Sequence, residues 1–376
     1  MITHEILTRP QQAFFILLRA GIWNQNPEDD LFLDFSELEW KEVYRSSIEQ
    51  GIMALVFDAV MRLPDELRPP RSLKVNWTLN VEFQEKNYAR QEDVACVLAE
   101  NFSKVDIRMF LFKGLSLAQF YPIPSHREFG DLDIYLFGKY KEGNRSLIRQ
   151  GSAKKHSDPK HTSFYFRGNS IENHAFFISV HRYSHLKRLN DKLILLSEKS
   201  SNIIIPDKPL LPVPDFNALF IMTHILLHFP SSIVIRHLCD WAVFLEANKE
   251  NIDFVNYKNT LSEAGLLKAA DAFTSLTVRF LGLNPESAPL FNCDPALEDK
   301  ILLNILNPLI LQKQNPSLWD IVAFKYRMLK YRRWKYELIN PDRYGVFILN
   351  SILFYLRHPG LIFVFKTKKN ESSGNH

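Results

Sequence analysis

Residues 127–136 read Arg127-Glu128-Phe129-Gly130-Asp131-Leu132-Asp133-Ile134-Tyr135-Leu136. The alternation after Gly130 predicts a strand, and strand side chains alternate between the two faces of a sheet. Asp131 and Asp133 therefore share one face, about 7 Å apart along the backbone. Leu132, Ile134 and Leu136 share the other face and point to a core. Two carboxylates side by side repel and resist ionisation unless a cation or a donor group lies between them. Magnesium, a hard ion that takes carboxylate and phosphate oxygens together, is the natural partner. An acidic pair on an otherwise apolar strand points to metal-assisted chemistry on a phosphate. Surface loops and solvated strand faces are the commoner setting of an Asp-x-Asp triplet, so the flanking sequence has to decide.

Residues 107–121 supply that flank. A buried-type strand over 109–112 breaks at Lys113-Gly114 and continues as a helical stretch over 115–120. A glycine at such a turn lets backbone N–H groups come close to a ligand, and a helix N-terminus favours an anion. Lys113 adds positive charge and Ser116 a hydroxyl. A proline-containing turn, Tyr121-Pro122-Ile123-Pro124-Ser125, leads on to Arg127, suited to a bidentate grip on phosphate or to an ion pair with a neighbouring acid such as Glu128.

The ordered run Phe112-Lys113-Gly114, Tyr121-Pro122, Arg127 and Gly130-Asp131-Leu132-Asp133 resembles the uncharacterised nucleotidyltransferase family of the polymerase-β-like superfamily. Residues 49–57 are similar to that family's helical N-terminal segment. Residues 219–245, with His224, His228, Leu238 and Asp240, are similar to its C-terminal helical part. The likeness covers roughly residues 10–250. It implies Mg²⁺, or Mn²⁺ in its place, held by Asp131 and Asp133 as catalytic and metal-binding residues. It implies nucleotide contacts from Lys113, Gly114, Ser116, Arg127 and Gly130. The implied reaction moves a nucleoside monophosphate from a Mg-NTP to an acceptor hydroxyl and releases pyrophosphate, the acceptor being a small molecule, a protein or an RNA.

The family carries a third acid on a later strand, in an acid-x-His arrangement. Aligned on residues 175–181, His181 matches, but Ser179 stands at the acidic position. Glu172 has the opposite parity to Ser179 on a strand over 174–181, so it reaches the site only through a bulge. Glu172, Ser179 and His181 are the accessory candidates. The hydroxyl at 179 motivates an alternative function, a catalytically weakened nucleotide-binding or partner-binding protein of the same fold.

The chain has 376 residues, enough for two or three domains, and a net charge of only +4, which excludes a global polyanion-binding surface. Cys96, Cys239 and Cys293 are odd in number and far apart, which fits reduced thiols rather than a disulfide framework or a metal spacing. The first residues lack a basic region followed by an apolar run, and the apolar stretch 344–356 is interrupted and too short to span a bilayer. The expectation is a cytoplasmic protein without a transmembrane segment.

Apolar spacing predicts helices over 11–23, 36–62 (with Ser36 and Glu39 as a capping box) and 73–104. Strands are expected at 108–112, 131–136, 162–167, 174–181 and 202–205, with a helix over 141–151 and a polar loop over 154–161. Helices resume over 214–283; 284–300 reads as a linker, and the rest as further helices. The expected fold class is α+β, a small mixed-sheet nucleotidyltransferase core flanked by helical regions. The expected divisions are 1–105 (helical), 106–212 (core), 213–366 (helical) and 367–376 (disordered tail). His224 and His228 share a helix face at a zinc-compatible spacing, but packing against the core is the plainer role, and the same holds for His181 and His185. Residues 324–337 interleave six cations with Tyr326, Tyr331, Trp334 and Tyr336. Such a strip suits an anionic ligand, a nucleic acid or a solvated helix face.

Overall fold

The computed structural model describes residues 6–180, 183–200, 208–309 and 317–340, with a few isolated positions up to 353. Four helices come first: α1 (Arg9–Ile22), α2 (Glu37–Glu49), α3 (Met53–Val60) and α4 (Arg71–Ser103). Ser36 caps α2 as a capping box with Glu39. The helix expected over 36–62 is in fact two, because the chain reverses at Gly51, whose φ of +67° is one glycine adopts without strain. The middle of the chain runs β1 (Phe110–Phe112), α5 (Gly114–Ala118), β2 (Asp131–Tyr135), α6 (Tyr140–Arg149), β3 (Ala153–Ser157), β4 (His161–Phe166), β5 (Asn169–His174) and α7 (Lys187–Lys199). Then follow α8 (Pro214–His228), α9 (Ile235–Asn248), α10 (Phe254–Glu263), α11 (Leu267–Leu281), α12 (Pro295–Leu306) and α13 (Leu318–Ile339). Among the described residues no helix is long and apolar enough to cross a membrane.

The five strands form one mixed sheet in the order β1-β2-β5-β4-β3. β2 runs antiparallel to β1 and parallel to β5; β4 is antiparallel to both of its neighbours. Strand alternation sorts the side chains into two layers. Leu111, Leu132, Ile134, Leu136, Phe164 and Ile171 pack under the C-terminal half of α4 and Leu147 of α6 in one core. Phe110, Phe112 and Tyr135 join a larger core with Phe177 and the buried faces of α1, α3, α8, α9 and α11. The fold class is α+β, a small mixed-sheet core with helices on either side of it in sequence.

Three expectations need correction. Residues 174–181 are not a strand. The chain leaves the sheet after His174, and the N–H groups of Phe177 and Ile178 both donate to Oδ1 of Asn190, each at 3.1 Å, instead of to a neighbouring strand. The polar stretch 154–161 is largely strand: β3 is an edge strand exposed along its whole length, which is why its composition reads as a loop. The linker expected over 284–300 ends in α12, started by Asp294, whose carboxylate accepts from the Leu297 N–H at 3.1 Å. The strand expected at 202–205 and the tail 367–376 lie outside the described residues.

One buried ion pair joins the sheet's motif loop to the C-terminal helices. Arg127 donates from Nε and Nη2 to the two carboxylate oxygens of Asp240 on α9, at 2.9 and 2.7 Å, and the Tyr121 hydroxyl donates to Oδ1 at 2.7 Å. Arg127 and Asp240 are 6% and 5% exposed at the side chain, so neither charge is satisfied by water if the other is removed. On the other side of the loop, His126 bridges Asp58 of α3 and Glu85 of α4, at 2.8 and 2.9 Å. Breaking a buried pair from one end costs about 3–5 kcal/mol, whereas replacing both partners by apolar groups costs far less. Urea unfolding of Asp240→Ala is therefore expected to show that loss, and the double variant Arg127→Met/Asp240→Leu to recover most of it.

Candidate active site

Register fixes the site. Phe112, Asp133, Glu172 and Ser163 lie side by side across β1, β2, β5 and β4, and Asp131 lies beside Ser170. Residues opposite one another in a ladder share a face, so Glu172 stands directly beside Asp133 with no bulge between them. Asp131 follows on the same face at the exposed start of β2. Three carboxylates thus meet on two adjacent parallel strands.

Asp133 is buried, and two donors hold it. Lys113 Nζ donates to Oδ1 at 2.6 Å, and His174 Nε2 donates to the same oxygen at 2.8 Å. His174 is fully buried, and its Nε2 also lies 3.3 Å from Glu172 Oε2, so this one N–H sits between two carboxylates. His161, opposite His174 on β4, brings Nε2 to 3.4 Å from Glu172 Oε1. Lys113 reaches Asp133 from a backbone with φ +59° and ψ −150°, a conformation that favours glycine and costs about 1–3 kcal/mol elsewhere. The next position is tight: a Cβ on Gly114 would come within 3.1 Å of the Phe129 ring and 3.3 Å of the Asp131 carbonyl oxygen, so either neighbour would have to yield by a few tenths of an ångström.

These neighbours split the carboxyl groups. Burial opposes ionisation of Asp133, but Lys113 and His174 outweigh it and hold the group well below the ordinary carboxylate range. Glu172 is likewise lowered, the His174 hydrogen bond overcoming burial and the charge of Asp133. Asp131 has no such pair of donors; burial first, then Glu172 and Asp133, push it up.

A cleft of about 320 Å³ opens over this face. Its floor holds Asp131, Asp133, Glu172, His161, Lys113 and Lys160. Its far wall is α8 and α9, with Phe220, His224, His228, Arg236 and His237. Along α8, Phe216, Phe220, His224 and His228 recur every fourth residue and stack in a ladder, with centroid separations of 5.5, 5.8 and 4.3 Å. Burial, reinforced by nearby cations, lowers His228 to about 3, and burial with Arg236 lowers His237 to about 4, so both rings are uncharged at neutral pH beside the charged Arg236.

The sequence candidates fare unequally. Asp131, Asp133, Lys113, Gly114, Arg127 and Gly130 all line the cleft. Arg127 does so with its guanidinium engaged by Asp240, so the ion pair expected as one of its two roles is present, buried and made to an acid on α9. Ser116 is buried, and its hydroxyl donates to the Lys113 carbonyl at 2.8 Å, so it fixes the turn. Ser179 lies beyond the sheet, where its carbonyl accepts from the Tyr183 N–H, and His181 lies outside the described residues. The acid-x-His spacing is met instead by Glu172-Asn173-His174, seven positions upstream of the pair first aligned. Lys160, His161, Arg236 and His237 carried no motif signal. On α13, the basic-aromatic strip turns partly inward: Lys335 is buried, its ammonium 4.9 Å from the Phe229 ring centroid, and Trp334 packs on the same ring.

The residues fit a divalent cation. Asp131, Asp133 and Glu172 share one face of the sheet, and Asp131 is pushed up by burial and then by the charges of Glu172 and Asp133, the part of its shift that a cation would relieve. Among the described residues the cluster with metal-type spacing is His161, Glu172 and His174, whose ligand atoms lie within 4.8 Å of one another; His224 and His228 are not part of it.

A family model described as an uncharacterised nucleotidyltransferase matches residues 36–282. No curated protein and no solved structure matches the chain.

The two strand aspartates should respond oppositely to removal. Asp133→Ala leaves Lys113 unpaired and is expected to cost about 3–5 kcal/mol in urea unfolding. Asp131→Asn removes a repelled charge and should leave stability unchanged or raised. Because the folded-state pKa of Asp133 is lowered, its contribution is complete above its unfolded value and is lost as pH falls. The stability gap between wild type and Asp133→Ala should be constant above pH 5 and narrow below about pH 4.

Proposed function

Since the chain belongs to the uncharacterised nucleotidyltransferase family, we propose that it transfers a nucleoside monophosphate from a nucleoside triphosphate to an acceptor hydroxyl and releases pyrophosphate. The observation that carries this is the meeting of Asp131, Asp133 and Glu172 at the floor of one cleft, on neighbouring strands. Asp131, Asp133 and Glu172 would hold Mg²⁺, or Mn²⁺ in its place. When bound, that ion supplies charge neutralisation at the triphosphate and at the leaving pyrophosphate.

The acceptor oxygen forms a bond to the α-phosphorus, the bond from that phosphorus to the bridging oxygen of the β-phosphate breaks, and pyrophosphate leaves with the electron pair. Glu172 takes the proton of the acceptor hydroxyl; His174 keeps its carboxylate ionised and oriented. Lys113 and Gly114 both line the cleft, and their turn would face the phosphates. The neutral rings of α8 and α9 form the wall opposite, suited to the uncharged part of a ligand. Positioning and electrostatics do the work that such a transfer requires.

The alternative, binding without transfer, was motivated by the hydroxyl at Ser179. With Glu172 beside Asp133, that motive is gone, and Glu172 takes the third-acid role in this proposal. Pyrophosphate release, assayed over the four NTPs with Mg²⁺ and a panel of hydroxyl acceptors, tests it. Asp131→Asn and Glu172→Gln should each lower turnover by at least about 100-fold, while Ser179→Ala keeps wild-type turnover. Full activity of Glu172→Gln would remove Glu172 from the third-acid role, and a wild type that binds NTP without releasing pyrophosphate would return the chain to the alternative.

A further inference from the structure

Two cations lining the cleft, Lys160 and Arg236, take part in none of the ion pairs described so far, and of these Lys160 is the one whose charged group makes no hydrogen bond among the described residues. It sits at the tip of the β3–β4 hairpin, and its main chain is pinned. Its N–H donates to Asp158 Oδ1 at 2.6 Å, and its carbonyl accepts from the N–H groups of Ala175 and Phe176 at 2.8 and 3.4 Å. The neighbouring His161 N–H donates to the same Asp158 oxygen at 2.9 Å, so the turn is fixed from both sides.

The side chain is treated differently from the backbone. Lys113 is neutralised by Asp133, Arg127 by Asp240, and Arg236 donates to the Glu128 carbonyl at 2.7 Å. Among the described residues the Lys160 ammonium has no hydrogen bond and no ion pair, although it lines the cleft. Burial lowers it to about 8, with Lys113 adding to the effect and Asp133, Glu172 and Asp158 opposing it from beyond contact distance. The residue is half-buried, so its ammonium is only partly hydrated, and an incoming anion would supply the partner it lacks.

Its place in the sheet says which anion. In the order β1-β2-β5-β4, Lys113 follows β1 and Lys160 precedes β4, so the two lysines flank the carboxylate strands on opposite sides. Three strand spacings separate the flanking strands, about 14 Å of sheet. A flexible ammonium is a point charge, suited to phosphate oxygens whose orientation varies. We propose that Lys160 grips the terminal phosphates of the nucleotide from the hairpin side of the cleft, a role that rests on the nucleotidyl-transfer function proposed above.

Calorimetric titration with inorganic tripolyphosphate and Mg²⁺, run beside thermal unfolding of the free proteins, tests it. Lys160→Met should weaken tripolyphosphate binding by about 10- to 100-fold, the loss expected for one charge-assisted contact. Its Tm without ligand should be unchanged or higher, because the variant removes an unpaired charge, and Lys160→Arg should retain most of the affinity. A lowered Tm in Lys160→Met would mark a structural role and overturn the proposal. Equal affinity of wild type and Lys160→Met would overturn it too, while leaving the transfer function standing. Failure of the wild type to bind tripolyphosphate would overturn both.

Discussion

A carboxylate sits ionised in the middle of this sheet, and much of the architecture follows from that requirement. Asp133 is 5% exposed, and burial alone would protonate it. It keeps its charge because Lys113 and His174 both donate to it. The lysine can do so only from a backbone angle that favours glycine, and the histidine only by giving up contact with water. Beside the lysine, Gly114 lies in a turn pressed against Phe129 and the Asp131 carbonyl, where a side chain would crowd both. One buried charge thus accounts for a strained residue and a buried imidazole.

The second constraint is the seam between sheet and helices. Arg127, Tyr121 and Asp240 lock the motif loop to α9, and His126 locks it to α3 and α4. The loop therefore has little freedom to re-aim its cations, and the cleft above the sheet is bounded by a wall whose position is set by the same contacts. α8 contributes to that wall through a stacked ladder that begins at Phe216, buried against Phe110, and ends at His228 in the cleft.

How much of this the sequence discloses depends on whether the signal is local. Asp131 and Asp133 are legible because strand alternation needs only neighbours, and Lys113-Gly114 because a strand that breaks at glycine before a helix is a local pattern. The capping box at Ser36 is legible for the same reason. Glu172 is hidden because the apolar run that follows it, 175–180, looks like a strand of the opposite parity. In the fold, Phe177 and Ile178 are consecutive and both buried, which a half-buried strand does not allow, and a side chain from α7 takes their N–H groups. The partner of Arg127 is hidden because nothing nearby in sequence shows that Asp240, 113 positions on, will claim it. Lys160 and His161 looked like loop residues because an exposed edge strand has no apolar face to reveal it.

The parallel pairing of β2 with β5 also has a temporal side. Each residue of β2 meets a partner 39 positions later, with α6 and the β3–β4 hairpin folded in between. Hairpins and helices close on local contacts, whereas a parallel ladder of this separation must wait for a long loop to close. Asp131 and Asp133 consequently remain apart from Glu172 until that closure, and the nascent chain does not bear their mutual repulsion while its local elements form. The repulsion between Glu172 and the two aspartates thus enters with the pairing that completes the sheet.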